Sequence, residues 1–159
     1  MRTRKTSRWA VDSSLCVKPM KISIPKRKDV FKGSVSVSIA PRGAFWSQTC
    51  LGKLAPEKGV YVIHHNNSVK YVGKTNGASM SFGMRLRRHF QETAAGSKHT
   101  YPKLSGLNTP PAIKVRMFPL NEIRKYIRHD IKRVNELDLI PLFEAALIVS
   151  LKPKFQSER

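Results

Sequence analysis

Glu144 is the only ionisable side chain in the apolar run Pro141 to Leu151. A carboxylate there must be paired or bound to a cation, because an isolated buried ion is costly. Two readings stand open on the residues alone. One is a salt bridge to a helix arginine, which leads; the other is a lone Mg²⁺ or Mn²⁺ ligand whose coordination is completed by water and substrate oxygens. A second constellation is basic: Lys74, then Arg85, Arg87, Arg88 and His89. The guanidinium of Arg85 is a planar fork suited to phosphate, while Arg87 and Arg88 suit neighbouring phosphates or solvent. His89, one helical turn after Arg85, can relay a proton, bond a phosphate or be structural. Lys74 is a phosphate or tyrosinate partner, or a solvated lysine at a strand end. Tyr61 and Tyr71 are ordinary strand aromatics or phenols flanking one point on a sheet. A phenol acts as a base only if its pKa, about 10 in water, is lowered by a neighbouring cation.

The elements that must position these groups follow from periodicity. Val60–Ile63 and Val69–Val72 are short apolar runs separated by His64, His65, Asn66, Asn67 and Ser68, a strand, turn and strand. His64 and His65, being adjacent, would point to opposite faces and are read as turn residues rather than metal ligands. Gly73 to Gly83 is a glycine-rich loop, and a helix from about Ser81 to Ala95 puts Leu86 and Phe90 on its buried side and Arg85, His89 and Glu92 on the adjacent stripe. Gly96 stops it and opens a loop to Pro111 containing Lys98, His99 and Lys103. Ala112 to Phe118 alternates as a third strand with Lys114 and Arg116 outward. A helix capped by Asn121 runs through Ile123, Ile127, Ile131 and Val134, and a last, buried helix carries Glu144. Upstream, Met20–Ile24 is a candidate edge strand and Val35–Ile39 a half-buried one. Ala44–Leu54 reads as a short helix in which Trp46 is core rather than a base-stacking residue. The expected fold class is mixed α/β (α+β): a small three-stranded mixed or antiparallel sheet flanked by helices.

The chain has 159 residues and 30 Lys and Arg against 10 Asp and Glu, a formal charge of +20. A polyanion is the expected partner, with double-stranded DNA the leading candidate. Residues 1–55 carry 12 of the basic residues against Asp12 and Asp29 alone, and are read as a basic, partly flexible, nucleic-acid-gripping arm; residues 56–159 are read as the domain proper. Lys26, Arg27 and Lys28 of the arm, with Arg87, Arg88, Lys98 and Lys103, are the candidate nucleic-acid contacts. Cys16 and Cys50 are too few and too far apart for a disulfide framework or zinc knuckle, and no secretory or membrane-spanning run is present. A reducing, cytoplasmic or nucleoid-associated location is expected.

Together these residues resemble the GIY-YIG nuclease family over roughly the last 100 of the 159 residues. Gly59-Val60-Tyr61 matches its first motif and Tyr71-Val72-Gly73 its second. Arg85 to His89 matches the third, and Glu144, followed by Leu147, Ile148, Lys152 and Pro153, the fourth. Two departures are a longer Gly73–Arg85 loop and Gln156 where the family usually has Asn; the resemblance makes Gln156, which keeps the amide, a nucleic-acid contact. The resemblance implies a metal-dependent DNA endonuclease. It makes Glu144 the Mg²⁺ or Mn²⁺ ligand, Arg85 the phosphate contact, Tyr61 the group that activates or orients water, Tyr71 its support, and Lys74 and His89 auxiliary. A non-catalytic architectural or ribosome-associated protein is the competing expectation; it accounts for the charge but not for Glu144.

Overall fold

The computed structural model describes residues 20–75, 77–94, 100–107, 112–128 and 135–156. Its centre is the hairpin of β3 (Gly59–His65) and β4 (Ser68–Lys74), joined by Asn66 and Asn67. Both asparagines have positive φ, 51° and 56°, the left-handed pair that a two-residue hairpin turn requires and that Asn tolerates. Because two residues suffice for the turn, His64 and His65 are strand residues, not turn residues, and both are buried. A register shift after Ile63, which pairs Tyr71 while His64 pairs Val69, makes Lys70 an extra residue in β4.

The main sheet has four strands, not three, in the order β2 (Val35–Val37), β5 (Ile113–Pro119), β3 and β4, every neighbouring pair antiparallel. The alternating run at Val35 thus joins the sheet itself, opposite Ile113 to Val115 of β5. A separate two-stranded sheet pairs β1 (Lys21–Ile22) with β6 (Ile127–Arg128). That pairing explains why the charged helix α4 (Leu120–Tyr126) is shorter than its periodicity suggests. Ser23 N–H donates to Tyr126 C=O at 2.7 Å, and the chain is drawn into a strand at Ile127. The helix begins after Pro119, ahead of the expected cap at Asn121; residues 129–134 lie outside the described residues.

Two hydrophobic cores lie on opposite faces of the sheet. On one, Tyr61, Ile63, Val115 and Met117 meet Phe82, Leu86 and Phe90 of α2 (Phe82–Phe90), Leu104 of α3 (Tyr101–Ser105), Trp46 and Leu51. On the other, Val60, Val62, Val72 and Phe118 meet Val30 of α1 (Arg27–Phe31), Ile123 of α4, and Leu139, Phe143 and Leu147 of α5 (Leu139–Leu151). Residues 20–55, read from composition as part of an arm, therefore place Val30, Val37, Trp46 and Leu51 in the same cores as the rest; residues 1–19, where the purest basic cluster falls, lie outside the described residues. The stretch expected to be a helix before Pro56 is instead a 3-10 segment, Thr49–Leu54, kinked at Gly52.

Helix α2 starts where Ser81 accepts the Met84 N–H, and ends at Phe90, short of Gly96. Part of the loop after it folds as α3. Helix α5 closes at Lys152 in the left-handed conformation, with Pro153 next. The chain then runs beside β4: Lys154 N–H donates to Val69 C=O at 3.2 Å and Phe155 N–H to Lys70 C=O at 2.7 Å, covering part of that edge. Among the described residues no helix is long and apolar enough to cross a membrane.

Phe143 is fully enclosed in the second core, its ring 5.4 Å from both Phe118 and Tyr126. Phe143→Ala is expected to lower unfolding free energy by about 3–5 kcal/mol, measured by denaturant titration; a loss under about 1 kcal/mol would mean α5 is not packed as described.

Candidate active site

Tyr61 points from the central strand into the first core and has no exposed surface. A hydroxyl enclosed there needs a partner, and it finds one: Tyr61 Oη lies 2.6 Å from His89 Nε2. Leu86 and Phe90 anchor α2 against the sheet, which turns His89 inward, while Arg85 follows one turn earlier on the neighbouring stripe. The Tyr71 ring closes the group, its centroid 5.0 Å from His89 and 6.2 Å from Tyr61. Gly73, paired with Tyr61 across the hairpin, is what admits both rings. A Cβ at that position would lie 2.6 Å from Tyr61 Cζ and 2.7 Å from Tyr71 Cε1.

The electrostatics follow from enclosure. Burial, then the charges of Arg85 and Arg88, push the His89 pKa down to about 3, so the imidazole is neutral at neutral pH. Burial first, and Tyr71 next, push the Tyr61 phenol above the ordinary tyrosine range, and Arg85 offsets only part of this. For Arg85 burial pulls downward, but both phenols lie within hydrogen-bonding reach and the net direction is upward. With Tyr61 Oη accepting from Arg85, its own proton is assigned toward His89 Nε2, which leaves the ring proton on Nδ1. Two nitrogens in this group, Arg85 Nε and His89 Nδ1, are buried without a hydrogen-bond partner. Such orphans are uncommon and ask for an explanation.

Glu144 sits on the other face. Strand alternation sends Lys74 toward α5, where its Nζ donates to Glu144 Oε2 in an ion pair; the carboxylate residue is 4% exposed. The buried carboxylate is thus paired, though with Lys74 rather than a helix arginine, and Lys74 meets Glu144 rather than a phenol. The two clusters lie close enough that the Glu144 charge contributes to raising the Tyr61 pKa. Among the described residues no group of three or more His, Cys, Asp or Glu converges, so Glu144 would be the single protein carboxylate offered to a cation. Beside the ion pair is an open cavity of about 230 Å³ lined by Lys58, Lys74, Thr75, Gly77, Ala78, Leu137, Ile140 and Pro141. Periodicity and composition do not single out Lys58 and Thr75; their positions directly before Gly59 and after Lys74 are the available signal. Thr75 accepts the Gly59 N–H through Oγ1 at 3.0 Å and so ties the two strand ends together.

The remaining candidates divide. Arg87 is exposed and Arg88 half-buried on α2, and Lys103 is exposed on α3. Lys26, Arg27 and Lys28 are exposed, but Arg27 reaches Asn67 C=O at 3.2 Å, at the turn of the hairpin. Roughly six strand residues, or about 20 Å, separate that turn from Tyr61. Gln156 is half-buried beside β4, where its Oε1 accepts the Val72 N–H at 3.2 Å. Lys98 lies outside the described residues.

His89 and His64 share one consequence. His64, whose Nε2 is 2.8 Å from Ser34 Oγ, is also pushed down, to about 4, by burial and then Lys114. The unfolded chain binds a proton at each near pH 6.5 while the folded chain resists it. Stability is therefore full above about pH 7 and declines as pH falls from about 6.5 toward 4, by at most about 1.4 kcal/mol per pH unit for each histidine. Denaturant titrations across this range are expected to show the slope, with His64→Gln reducing it; equal stability at about pH 7 and about pH 4.5 would contradict the burial of both rings. Compared with protein-family models, curated proteins and solved structures, the chain matches none.

Proposed function

We propose that the chain is a divalent-metal-dependent DNA endonuclease of the GIY-YIG type. The observation that carries this reading is the packing of Arg85 against two phenols, one turn from a neutral His89 that is bonded to Tyr61, with a buried carboxylate in electrostatic range. An antiparallel hairpin bearing both tyrosines, a following helix bearing Arg85 and a final helix bearing Glu144 is also the order the resemblance implies. The charge of +20 suits a polyanionic substrate.

Hydrolysis of a phosphodiester needs water in line with phosphorus: the new P–O bond forms as the bond to the sugar oxygen breaks, and one water proton is lost as the leaving oxygen gains one. Arg85 holds the phosphate through its fork, and its orphaned Nε is a donor that an oxygen can satisfy if the side chain turns outward. Tyr71 is the less buried of the two tyrosines and is assigned to the water. Tyr61 is enclosed and kept protonated by burial, so its role is to hold Arg85 and His89 in register rather than to take a proton itself. This exchanges the roles the resemblance implies for the two tyrosines. Mg²⁺ or Mn²⁺, when bound, supplies neutralisation of charge growing on the phosphate oxygens. Glu144 is the residue that would hold it, a donor set of one carboxylate plus water and substrate oxygens being one that Mg²⁺ accepts. Lys74 would then share or release the carboxylate that it holds now.

One observation favours a non-catalytic DNA-binding protein instead: Glu144 already has its counter-ion in Lys74. Incubating supercoiled DNA with the parent chain and Glu144→Ala in Mg²⁺, Mn²⁺ and EDTA separates the two. The nuclease reading expects nicking in either metal and none in EDTA, falling about a hundredfold or more in the variant while DNA binding persists and circular dichroism confirms folding. Metal-dependent cutting unchanged in Glu144→Ala would remove Glu144 as ligand, and a parent that only binds DNA would establish the alternative.

A further inference from the structure

Phe45 is 87% exposed, the most exposed of the large hydrophobic side chains described. A single apolar residue at a surface needs no account, but this one is held out by a built turn. The neighbouring Trp46 is buried against Phe90, ring centroids 5.3 Å apart, and its Nε1 donates to Ser38 C=O at 3.0 Å. Trp46 N–H donates to Gln91 Oε1 at 3.0 Å, Ala40 N–H to Phe90 C=O at 2.9 Å, and Tyr101 Oη to Ala40 C=O at 3.4 Å. Gly43, at φ 77°, turns the chain between these anchors. The turn is thus fastened to α2 and α3 on both sides of Phe45, and the exposure of the ring is not a product of slack chain.

Cationic side chains stand in the turn itself and on the two helices that hold it. Arg42, its side chain 91% exposed, stands in the same turn and meets Glu92 at 3.4 Å. Arg87 and Lys103 are exposed on the two helices to which the turn is fastened. Arg85 lies roughly six residues before Gln91 on the same chain segment, about 9 Å along a helix axis. An aromatic face held rigidly among positive charges is suited to stacking on a nucleobase whose phosphates those charges attract.

We infer that Phe45 is a base-stacking residue that occupies an unstacked base step of DNA alongside the phosphate contact of Arg85. This rests on the reading of DNA as the partner and not on cleavage. Equilibrium binding by fluorescence anisotropy, in EDTA so that cutting plays no part, compares the parent, Phe45→Ala and Phe45→Trp on a plain duplex and on one with a single unpaired base. The parent is expected to prefer the unpaired-base duplex, Phe45→Ala to lose about tenfold or more in affinity there, and Phe45→Trp to keep it. Phe45→Ala binding within about twofold of the parent on both DNAs would overturn the inference while leaving the nuclease reading intact. Loss of a self-associated form in Phe45→Ala with DNA affinity unchanged would overturn it equally, and failure of the parent to bind DNA would overturn both. DNA binding with the expected Phe45 dependence, in a chain that never cuts, would sustain the inference and defeat the nuclease reading.

Discussion

Strand β3 is buried along all seven residues, and a strand covered on both faces has no side on which to leave a polar group bare. This constraint orders the rest of the molecule. Val60 and Val62 serve one core and Tyr61 and Ile63 the other, so two helical layers must cover the sheet. The Tyr61 hydroxyl, caught inside, is met by His89, which the packing of Leu86 and Phe90 turns inward, and the same rotation of α2 places Arg85. Gly73 follows from the same requirement, since only a residue without Cβ lets the ring lie across the hairpin.

The charge distribution adds a second layer. A chain of +20 places its single carboxylate of interest in a helix otherwise apolar and ties it to Lys74 at the end of β4. A buried ion pair of this kind is weak support for stability, because desolvation offsets much of the attraction. It does hold a carboxylate within electrostatic range of the Tyr61 phenol, on the far side of the sheet from α2. The β4 edge beyond Val72, the last strand position bonded by the C-terminal segment, is where the two clusters come nearest in the pairing scheme.

Much of this is legible in the residues themselves. Short apolar runs around a polar turn mark β3 and β4, alternation marks β5, and the Leu86 and Phe90 spacing orients α2 correctly, because burial of a periodic face is a local signal. Pairing between distant segments is not: β2 joins β5 from far along the chain, Val35 opposite Val115, and β1 ends α4 by drawing Ile127 into a strand, neither of which a local window contains. The aromatic pair Phe45-Trp46 shows the same limit. Composition alone makes both core candidates, but hydrogen bonds to Ser38 and Gln91 bury one ring and leave the other outside. Among the site residues, the grouping of Tyr61, His89 and Arg85 follows from strand and helix periodicity. That Lys74 turns away from Tyr71 follows from their odd spacing on β4, but that it meets Glu144 depends on where α5 packs, which no local window contains.

The most direct test of the proposed chemistry is the cleavage rate of Arg85→Lys on supercoiled DNA in Mg²⁺, with DNA affinity measured in parallel. Lysine keeps the positive charge but not the planar fork that spans two phenols and a phosphate. If Arg85 acts at the scissile phosphate, cutting falls by about a hundredfold or more while affinity changes little. Cutting at the parent rate by a folded Arg85→Lys would contradict the assignment of the Tyr61, His89 and Arg85 group as the active site.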